Sequence, residues 1–363
     1  YRNVLIPACK AAVEMERTGL PINIKELIRT KRRLKREVDA TMQAIRDCLP
    51  DDAWKIINPS KKRKRDPDSN NLINPGSTKQ LGKILFEIFG LPSVKLTDAG
   101  DDSTNEDALL RLGGLKGTGD YQDKAFDVVE LALQMREKRQ QLNMFVMPFI
   151  EHIRASEDKR IHPRIHVGRT DTLRMASSNP NGQNCPKFIR RLIQAPQGFT
   201  FIHCDHNALE VRGAADCSGD GTLIRLLRQG KDMHAYNTRQ FVGLSENNDI
   251  DDNLRFAVKT LFFASLYQAF ETKIADVIRK RFRDASLGVD DVRKILTLKN
   301  LDPKNKDPFF VLAKAWREWM FSHYRGLKQW HFRVKDQVSR TGQIDSWFGF
   351  TRHLPDAQST DTR

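Results

Sequence analysis

The sequence has few cysteines, no long apolar run and no pattern of a secreted protein at its start. Its five cysteines are far apart and form no CxxC pair, so we expect reduced thiols and no structural zinc. No apolar run approaches the roughly 18 residues that a membrane helix needs, and the first twenty residues show no signal-peptide pattern. These features predict a cytoplasmic protein without a membrane partner.

Acidic residues are too few to balance the basic ones. The 363 residues include 61 Lys and Arg against 46 Asp and Glu, which gives a formal charge of +15 and a pI near 9.6. This charge predicts a polyanionic partner, but it fits an ordinary basic enzyme equally well, because net charge bears on partners and solubility and not on fold. The chain is long enough to bury more than one core, and we expect two or three subdomains.

The first 155 residues predict mainly helix. Apolar residues recur at helical spacing from Ile24 to Leu49, with basic residues crowded between them. A second long helix is predicted from about Gln122 to Ile153, and Pro148 would kink or interrupt it. Two such helices can pair antiparallel.

Short elements are predicted between and after these helices. STKQ from Ser77 and STNE from Ser103 fit the capping box that starts a helix. The basic run KKRKR (61–65) fits a solvated loop, a phosphate-binding loop or a nuclear address. From Arg160 to Phe201 the alternating segments and turn residues predict a small sheet, and GFTFIHCD predicts a strand that ends at Asp205. Helices are then predicted to about Val338, followed by a hairpin.

Two segments carry the chemistry. In DHNALEVR, Asp205 offers a carboxylate that fits a divalent metal and equally fits a helix N-cap. In RFAVKTLFFASLY, Arg255, Lys259, Phe263 and Tyr267 follow one another at four-residue steps, which places them along one stripe of a helix. A cationic pair followed by two rings matches a triphosphate followed by a stacked base. Aromatic residues at this spacing also fit a hydrophobic core.

Five segments, taken in order, resemble the polymerase domain of family A DNA polymerases, the DNA polymerase I group. TLRMASSNPNGQNCP (172–186) resembles the family's TGRLSSxxPNLQNIP, DHNALEVR resembles motif A, and RFAVKTLFFASLY resembles motif B. GKDMHAYNTRQFVG (230–243) and GQIDSWFGFTRHLPD (342–356) resemble two further family segments. The resemblance covers nearly the whole chain.

The resemblance implies an α+β, mainly helical fold with right-hand polymerase architecture. The thumb would occupy 1–155, the first part of the palm with a small antiparallel sheet 156–232, the fingers 233–340, and an incomplete returning palm hairpin 341–363. The implied function is template-directed DNA synthesis, in which a dNTP reacts with a primer 3′-hydroxyl. Two Mg²⁺ ions, with Mn²⁺ as an alternative, would serve as cofactors. Basic thumb helices would grip the primer-template duplex.

The resemblance also implies roles for individual residues. Asp205 would hold Mg²⁺ and would be catalytic together with Lys259. The implied nucleotide-binding residues are Glu210, His234, Arg255, Lys259, Phe263 and Tyr267. The implied DNA-binding residues, which would contact minor-groove acceptors shared by all base pairs, are Arg174, Asn181, Gln183 and Asn184. Without the family context, His234 also fits a structural histidine, Glu210 an exposed helical glutamate, and the asparagines ordinary turn formers.

The chain departs from the family pattern in two respects. Motif A has Asn207 and Ala208 where Ser and Gln are usual, and motif B has Phe262, Ala264 and Gln268 where Asn, Gly and Gly are usual. Motif C, a His-Asp-Glu segment that supplies a second carboxylate, is not found. We therefore expect the chain to be nearly inactive alone and to need a further segment or a second polypeptide, as in a split polymerase of phage type.

The sequence also fits two alternatives from other classes. One is a catalytically inactive, polymerase-like scaffold that binds primer-template DNA. The other is a helical protein that binds nucleic acids without specificity. The triphosphate-type cations at Arg255 and Lys259 favour the enzyme over both, because a protein that only binds DNA has no need for them.

Overall fold

The computed structural model describes residues 3–57, 73–116, 119–245, 249–285, 287–346 and 349–358. The chain divides into two compact units. One comprises Tyr1–Thr104 and Gln122–Cys204, and the other comprises Asn105–Tyr121 and Asp205–Arg363. The KKRKR run lies outside the described residues. In the part of the chain that is described, no helix combines the length and the apolar character needed to cross a membrane.

The first unit consists of helices with short strands. Its helices are α1 (Leu5–Thr18), α2 (Ile24–Asp47), α3 (Ala53–Ile57), α4 (Thr78–Gly82), a π-helical segment (Lys83–Ile88), α6 (Asp123–Gln141), a second π-helical segment (Leu142–Val146), α7 (Met147–Ala155) and α8 (Lys187–Arg190). Its strands are β1 (Leu20–Pro21), β2 (Arg160–Ile161), β3 (Arg164–His166) and β4 (Ala176–Ser178). Helix α5 (Glu106–Gly113) belongs to the second unit.

The predicted antiparallel pair of long helices is confirmed. Asn23 caps α2, because its Oδ1 accepts a hydrogen bond from the amide of Glu26 at 3.0 Å. Leu27, near the start of α2, shares a core with Phe149 of α7. Glu37, in the middle of α2, lies 3.1 Å from Lys138 near the end of α6. Later residues of α2 therefore contact earlier residues of the segment from α6 to α7, which makes the pair antiparallel.

The second long helix is interrupted as predicted, by a π-helical segment that ends two residues before Pro148. Proline has no amide hydrogen, so its position cannot donate an ordinary helical hydrogen bond. The wider turns of Leu142–Val146 precede α7, in which Pro148 occupies the first turn. Pro148 is therefore accommodated without ending the helical path.

The two predicted capping boxes have different outcomes. Ser77 does cap α4, where its Oγ accepts a hydrogen bond from the amide of Gln80 at 3.4 Å. Ser103 does not cap the next helix, and this prediction is wrong. Asn105 is the N-cap there, and its Oδ1 accepts from the amide of Ala108 at 2.8 Å. Ser103 is instead buried.

The sheets are small. Strand β1 pairs with β2, and β3 pairs with β4, both antiparallel. The strand predicted over GFTFIHCD is absent from the described chain, where residues 199–206 belong to no helix or strand. Phe199 and Ile202 are 76% and 84% exposed. A strand needs backbone hydrogen bonds to a neighbour, and no described strand pairs with this segment.

The second unit is almost entirely helical. Its helices are α5 (Glu106–Gly113), α9 (Leu209–Ser218), α10 (Gly221–Arg228), α11 (Met233–Val242), α12 (Asp252–Leu266), α13 (Glu271–Asp284), α14 (Val289–Leu298), α15 (Pro308–His323) and α16 (Arg325–Thr341). The predicted hairpin follows as β5 (Gln343–Asp345) and β6 (Thr351–His353), which pair antiparallel. One large core, which includes Trp316, Tyr324 and Phe262, joins α9 to α16.

The helical region predicted to about Val338 is broken at Tyr324, which separates α15 from α16. The Tyr324 side chain is fully buried and its hydroxyl donates a hydrogen bond to Asn237. Two residues later, the amide of Gly326 donates to the Asp220 carboxylate at 2.8 Å. The other oxygen of Asp220 caps α10. This buried carboxylate thus accepts hydrogen bonds at the starts of two helices, α10 and α16.

Helix α5 comes from a stretch of sequence that interrupts the first unit. Arg111 of α5 donates two hydrogen bonds to the Asp276 carboxylate of α13, at 3.1 and 2.9 Å. Asp276 also pairs with Arg279 at 2.9 Å, and Arg279 in turn binds Asp307 at the start of α15. Asp276 and Arg279 are buried, so breaking this network by removing one partner would leave a buried charge unpaired.

Candidate active site

Asp232, in the second unit, caps one helix and binds an arginine of another. It precedes α11, and its Oδ1 accepts hydrogen bonds from the amides of His234 at 2.9 Å and Ala235 at 3.0 Å. Its Oδ2 accepts from Nε of Arg255 at 2.9 Å and also from Nη2 of Arg255. Burial acts to raise the pKa of the Asp232 carboxyl, but the Ala235 amide and the Arg255 guanidinium outweigh it and hold this pKa below its ordinary value.

Helix α12 carries the predicted stripe. Asp251 caps it by accepting hydrogen bonds from two backbone amides at 2.9 Å. The buried residues of the helix are Ala257, Val258, Leu261, Phe262, Ser265 and Leu266. Arg255 and Phe263 are half-buried and Lys259 is exposed. Tyr267 follows the last turn and is 63% exposed. Within the described chain, Lys259 makes no hydrogen bond or ion pair, so its ammonium is available to a ligand.

His234 joins the two helices. Its ring lies 5.8 Å from the ring of Phe263 and 6.0 Å from that of Phe262, measured between centroids. Burial, followed by the positive charge of Lys259, lowers the pKa of His234 to about 4. The imidazole is therefore neutral at pH 7. Its Nδ1 atom is buried and has no hydrogen-bond partner among the described residues.

The last turn of α12 is fixed by two buried hydrogen bonds to side chains of α15 and α16. Trp316 donates its indole hydrogen to Oγ of Ser265 at 2.9 Å, and Nε2 of His331 lies 2.9 Å from the carbonyl oxygen of Leu266. These buried hydrogen bonds fix the last turn, from which Tyr267 extends. The stripe therefore lies on a helix that is held at both ends.

Asp205 and Glu210 lie at the start of α9. The N-cap of α9 is Ala208, which has a left-handed conformation with φ 53° and no side-chain cap, so Asp205 is not a helix cap. Its carboxylate is exposed and makes no hydrogen bond or ion pair within the described chain. Glu210 is exposed in the first turn of α9. No hydrogen bond or ion pair between described residues joins Asp205 to Lys259.

The described residues do not form a metal centre by themselves. They include no group of three or more His, Cys, Asp or Glu side chains that could hold a metal ion. The single carboxylate of Asp205 fits one ligand position of Mg²⁺, an ion that commonly takes one or two protein carboxylates and completes its shell with water and substrate phosphates. The Mg²⁺ prediction therefore stays a prediction.

The four predicted DNA-binding residues belong to the first unit. Oδ1 of Asn181 accepts hydrogen bonds from Oγ of Ser177 at 2.9 Å and from the amides of Gln183 and Asn184 at 3.2 and 3.1 Å. Asn181 therefore shapes the turn, as a turn former would, while its amide hydrogens stay available. The side chains of Arg174, Gln183 and Asn184 are exposed. Their role in binding DNA stays a prediction.

Sequence reasoning missed Asp232. The only local signal was an Asp at the start of a helical pattern, in KDMHAY, which is typical of an N-cap. Its second role, pairing with Arg255, joins residues 23 positions apart. Such a contact depends on how α11 packs against α12, and the spacing of residues along one helix does not predict it.

The fold described above has a counterpart among solved structures. The chain is similar in structure, with a TM-score of 0.69 and 20% identity, to the POL domain of Pol1 from M. smegmatis, whose structure contains DNA primer-template and dNTP. This similarity covers 98% of the present chain and 53% of the other. Residues 59–290, more than half of the chain, match the family model for DNA polymerase family A. The chain belongs to this family.

Relatives come from bacteria and from a phage. The thermostable DNA polymerase I of Thermus filiformis is 29% identical over 296 residues, which cover 79% of this chain and 30% of that protein. The DNA polymerase of Escherichia phage T5 is 26% identical over 381 residues, covering 99% of this chain and 40% of the relative. The chain thus spans well under half the length of these two relatives.

Proposed function

We propose that this chain provides the incoming-nucleotide site of a template-directed DNA polymerase. Membership of family A supports the reaction class. The convergence of His234, Arg255, Lys259 and Phe263 on one face of α11 and α12 carries the assignment of the site. Residues 1–155 would form the thumb, 233–340 the fingers, and 156–232 with 341–363 parts of the palm.

Each residue of this face offers a different interaction to a dNTP. Lys259 would pair with the triphosphate as an exposed point charge. Arg255 uses Nε and Nη2 on Asp232, so its Nη1 hydrogens remain to donate to a phosphate oxygen. His234 is neutral at pH 7 and would add a contact near the phosphates without adding charge. Phe263 would stack against the base or sugar, and Tyr267 would lie by the templating base.

In the reaction, the primer 3′-oxygen forms a bond to the α-phosphorus of the dNTP, and the bond from that phosphorus to the bridging oxygen breaks. Pyrophosphate leaves with the electron pair, and the 3′-hydroxyl loses its proton. Lys259 and Arg255 would stabilise the negative charge of the departing pyrophosphate. Mg²⁺, when bound, would supply Lewis-acid stabilisation of phosphoryl oxygens, and Asp205 would be one of its ligands. Glu210 would contact the nucleotide near its sugar.

A substitution at Lys259 tests the site directly. A charge pair at about 4 Å contributes about 1 kcal/mol in bulk water and about 4 kcal/mol at an effective dielectric of 20. Since Lys259 is exposed, we expect Lys259→Ala to weaken dNTP binding by about 1–3 kcal/mol, or roughly 5- to 150-fold. Lys273→Ala, on the exposed face of α13, is the matched control. Equal dNTP affinities of the two variants would contradict the proposed site.

Primer extension separates an enzyme from a scaffold. The supply of a second carboxylate by a further segment or chain stays a prediction, so the assay is run with the chain and a candidate motif C polypeptide together. We expect extension with Mg²⁺ that Asp205→Ala abolishes, while duplex affinity changes by no more than a few fold. A complex that binds primer-template well and never extends it would favour the scaffold.

A further inference from the structure

Tyr324 contacts both helices that carry the proposed nucleotide site. Its side chain is fully buried. Its hydroxyl donates a hydrogen bond to Oδ1 of Asn237 in α11, and its ring lies 5.8 Å from the ring of Phe262 in α12, measured between centroids. Asn237 follows His234 by three residues, and Phe262 directly precedes Phe263. Tyr324 is therefore linked to two residues of the site through their neighbours on the same helices.

The backbone at Tyr324 is held in a tight corner between α15 and α16. The amide of Tyr324 donates to the carbonyl oxygen of Met320 at 2.8 Å, and the amide of Gly326 donates to the buried Asp220 carboxylate at 2.8 Å. A side chain at position 326 would lie 2.7 Å from Cα of Asp220, so only glycine fits there. The Tyr324 side chain therefore starts from a fixed point.

The hydrogen bond from Tyr324 to Asn237 is specific. Burial raises the pKa of Tyr324 far above its ordinary value, so the hydroxyl keeps its proton and acts as the donor. Asn237 is 0% exposed, and its Nδ2 atom has no hydrogen-bond partner among the described residues. Because a buried polar group that loses its partner is costly, the amide of Asn237 strongly favours the arrangement in which it meets Tyr324.

Apolar contacts alone do not fix the position of α11. Met233, Phe241 and Val242 are buried in the large core of the second unit. The hydrophobic effect is non-directional, so these side chains keep α11 in the core but resist small sliding or rotation poorly. A buried polar contact specifies one arrangement. The hydrogen bond between Tyr324 and Asn237 therefore determines where α11 lies along α12.

The ion pair between Asp232 and Arg255 also joins α11 to α12, but it is weaker. Its side chains are 44% and 36% exposed, so water and salt screen their attraction. His234 lies on α11 between Asp232 and Asn237, and its ring is 5.8 Å from that of Phe263. The position of this ring therefore depends mainly on the buried hydrogen bond.

We propose that Tyr324 is a positioning residue of the nucleotide site. It fixes α11 against α12, so that His234 on α11 and Lys259 on α12 face the same triphosphate. Because it is fully buried, Tyr324 acts through Asn237 and does not touch the nucleotide. This role rests on the proposed function, since it concerns the binding of dNTP.

Two variants separate this role from ordinary stabilisation of the core. Tyr324→Phe keeps the ring and leaves Asn237 without its donor. Adding Asn237→Leu replaces the second partner by an apolar side chain of similar size, so the unsatisfied polar group is removed as well. The urea midpoint of this double variant should lie above that of Tyr324→Phe and near that of the unsubstituted chain. Val338→Ala, at a buried position of α16 outside the core around α11 and α12, is the control for destabilisation alone.

Binding of dATP, measured by isothermal titration calorimetry, gives the first test. We expect its Kd to rise roughly fivefold to tenfold in both Tyr324→Phe and the double variant, because a displacement of about 1 Å weakens several contacts at once. Val338→Ala should bind dATP as the unsubstituted chain does. A double variant with an unchanged Kd would show that Tyr324 only stabilises the core, and would overturn the proposal.

The pKa of His234 gives a second test that needs no nucleotide. Burial and the charge of Lys259 lower this pKa to about 4. We expect NMR titration of the imidazole to show a rise toward the ordinary 6.5 in the double variant, because a displaced α11 admits water to the ring, and no rise in Val338→Ala. If the unsubstituted chain binds no dATP, the proposed function fails and this titration alone decides the role of Tyr324. An unchanged pKa in the double variant would refute that role.

Discussion

Asp232 has two separable roles, and a pair of substitutions distinguishes them. One oxygen caps α11 and the other binds Arg255. The two side chains of the ion pair are 44% and 36% exposed, so the pair should contribute no more than about 0.5–1 kcal/mol. The cap should contribute about 1 kcal/mol. Asparagine caps helices as well as aspartate does, so Asp232→Asn should remove only the ion pair.

We therefore expect Asp232→Asn to lower the free energy of unfolding by less than about 1 kcal/mol at pH 7, and Asp232→Ala to lower it by about 1.5–2 kcal/mol. Urea denaturation measures both, provided that the m value is unchanged between variants. Equal losses in the two variants would show that the ion pair, and not the cap, holds this turn. Losses near zero in both would refute the capping geometry itself.

The pH dependence of the same variants adds an independent check. The pKa of Asp232 is lower in the folded chain than its ordinary value, so the carboxylate stabilises the fold above the ordinary aspartate pKa of about 3.9. This stabilisation is lost as the pH falls below that value and through the folded pKa. The stability difference between the native chain and Asp232→Asn should therefore shrink between about pH 5 and pH 3. A constant difference would contradict the pairing.

Two further predictions concern buried groups. The pKa of His234 is about 4, below the ordinary 6.5, so the unfolded chain binds an extra proton between these two pH values. The free energy of unfolding should therefore fall as the pH drops from 6.5 toward 4. In His234→Gln, the urea midpoints at pH 7 and pH 5 should differ less than in the unsubstituted chain. Tyr324→Phe leaves Asn237 without its hydrogen-bond donor in the core and should lower the free energy of unfolding by about 1–3 kcal/mol. Tyr236→Phe removes a half-buried hydroxyl and should lower it by less, as measured by urea denaturation of both variants.

The elements best predicted from the sequence were those governed by helical periodicity. The bounds of α2 and the interruption before Pro148 follow from apolar spacing and from the missing proline amide. The break at Tyr324 could not be predicted in this way, since apolar residues continue on both sides of it. It depends on Asn237 and Asp220, which are distant in sequence.

The candidate site also combines features that the sequence predicts with features that depend on contacts between helices. The stripe of Arg255, Lys259 and Phe263 lies within one helix, so its four-residue spacing was sufficient to predict it. The partner of Arg255 lies on another helix, and the lowered pKa of His234 arises from burial between helices. Asp205 was predicted to end a strand, but an alternating pattern forms a strand only where a neighbouring strand can form backbone hydrogen bonds with it.

The placement of α5 limits how this protein can be divided in the laboratory. Its second compact unit is discontinuous in sequence, because Asn105–Tyr121 belongs with Asp205–Arg363. A fragment that starts at Asp205 would lack Arg111, the two-point partner of the buried Asp276. Gene fragments cut at a single position should therefore yield poorly folded halves, whereas a fusion that joins the α5 segment to the second half through a new linker should recover a folded unit.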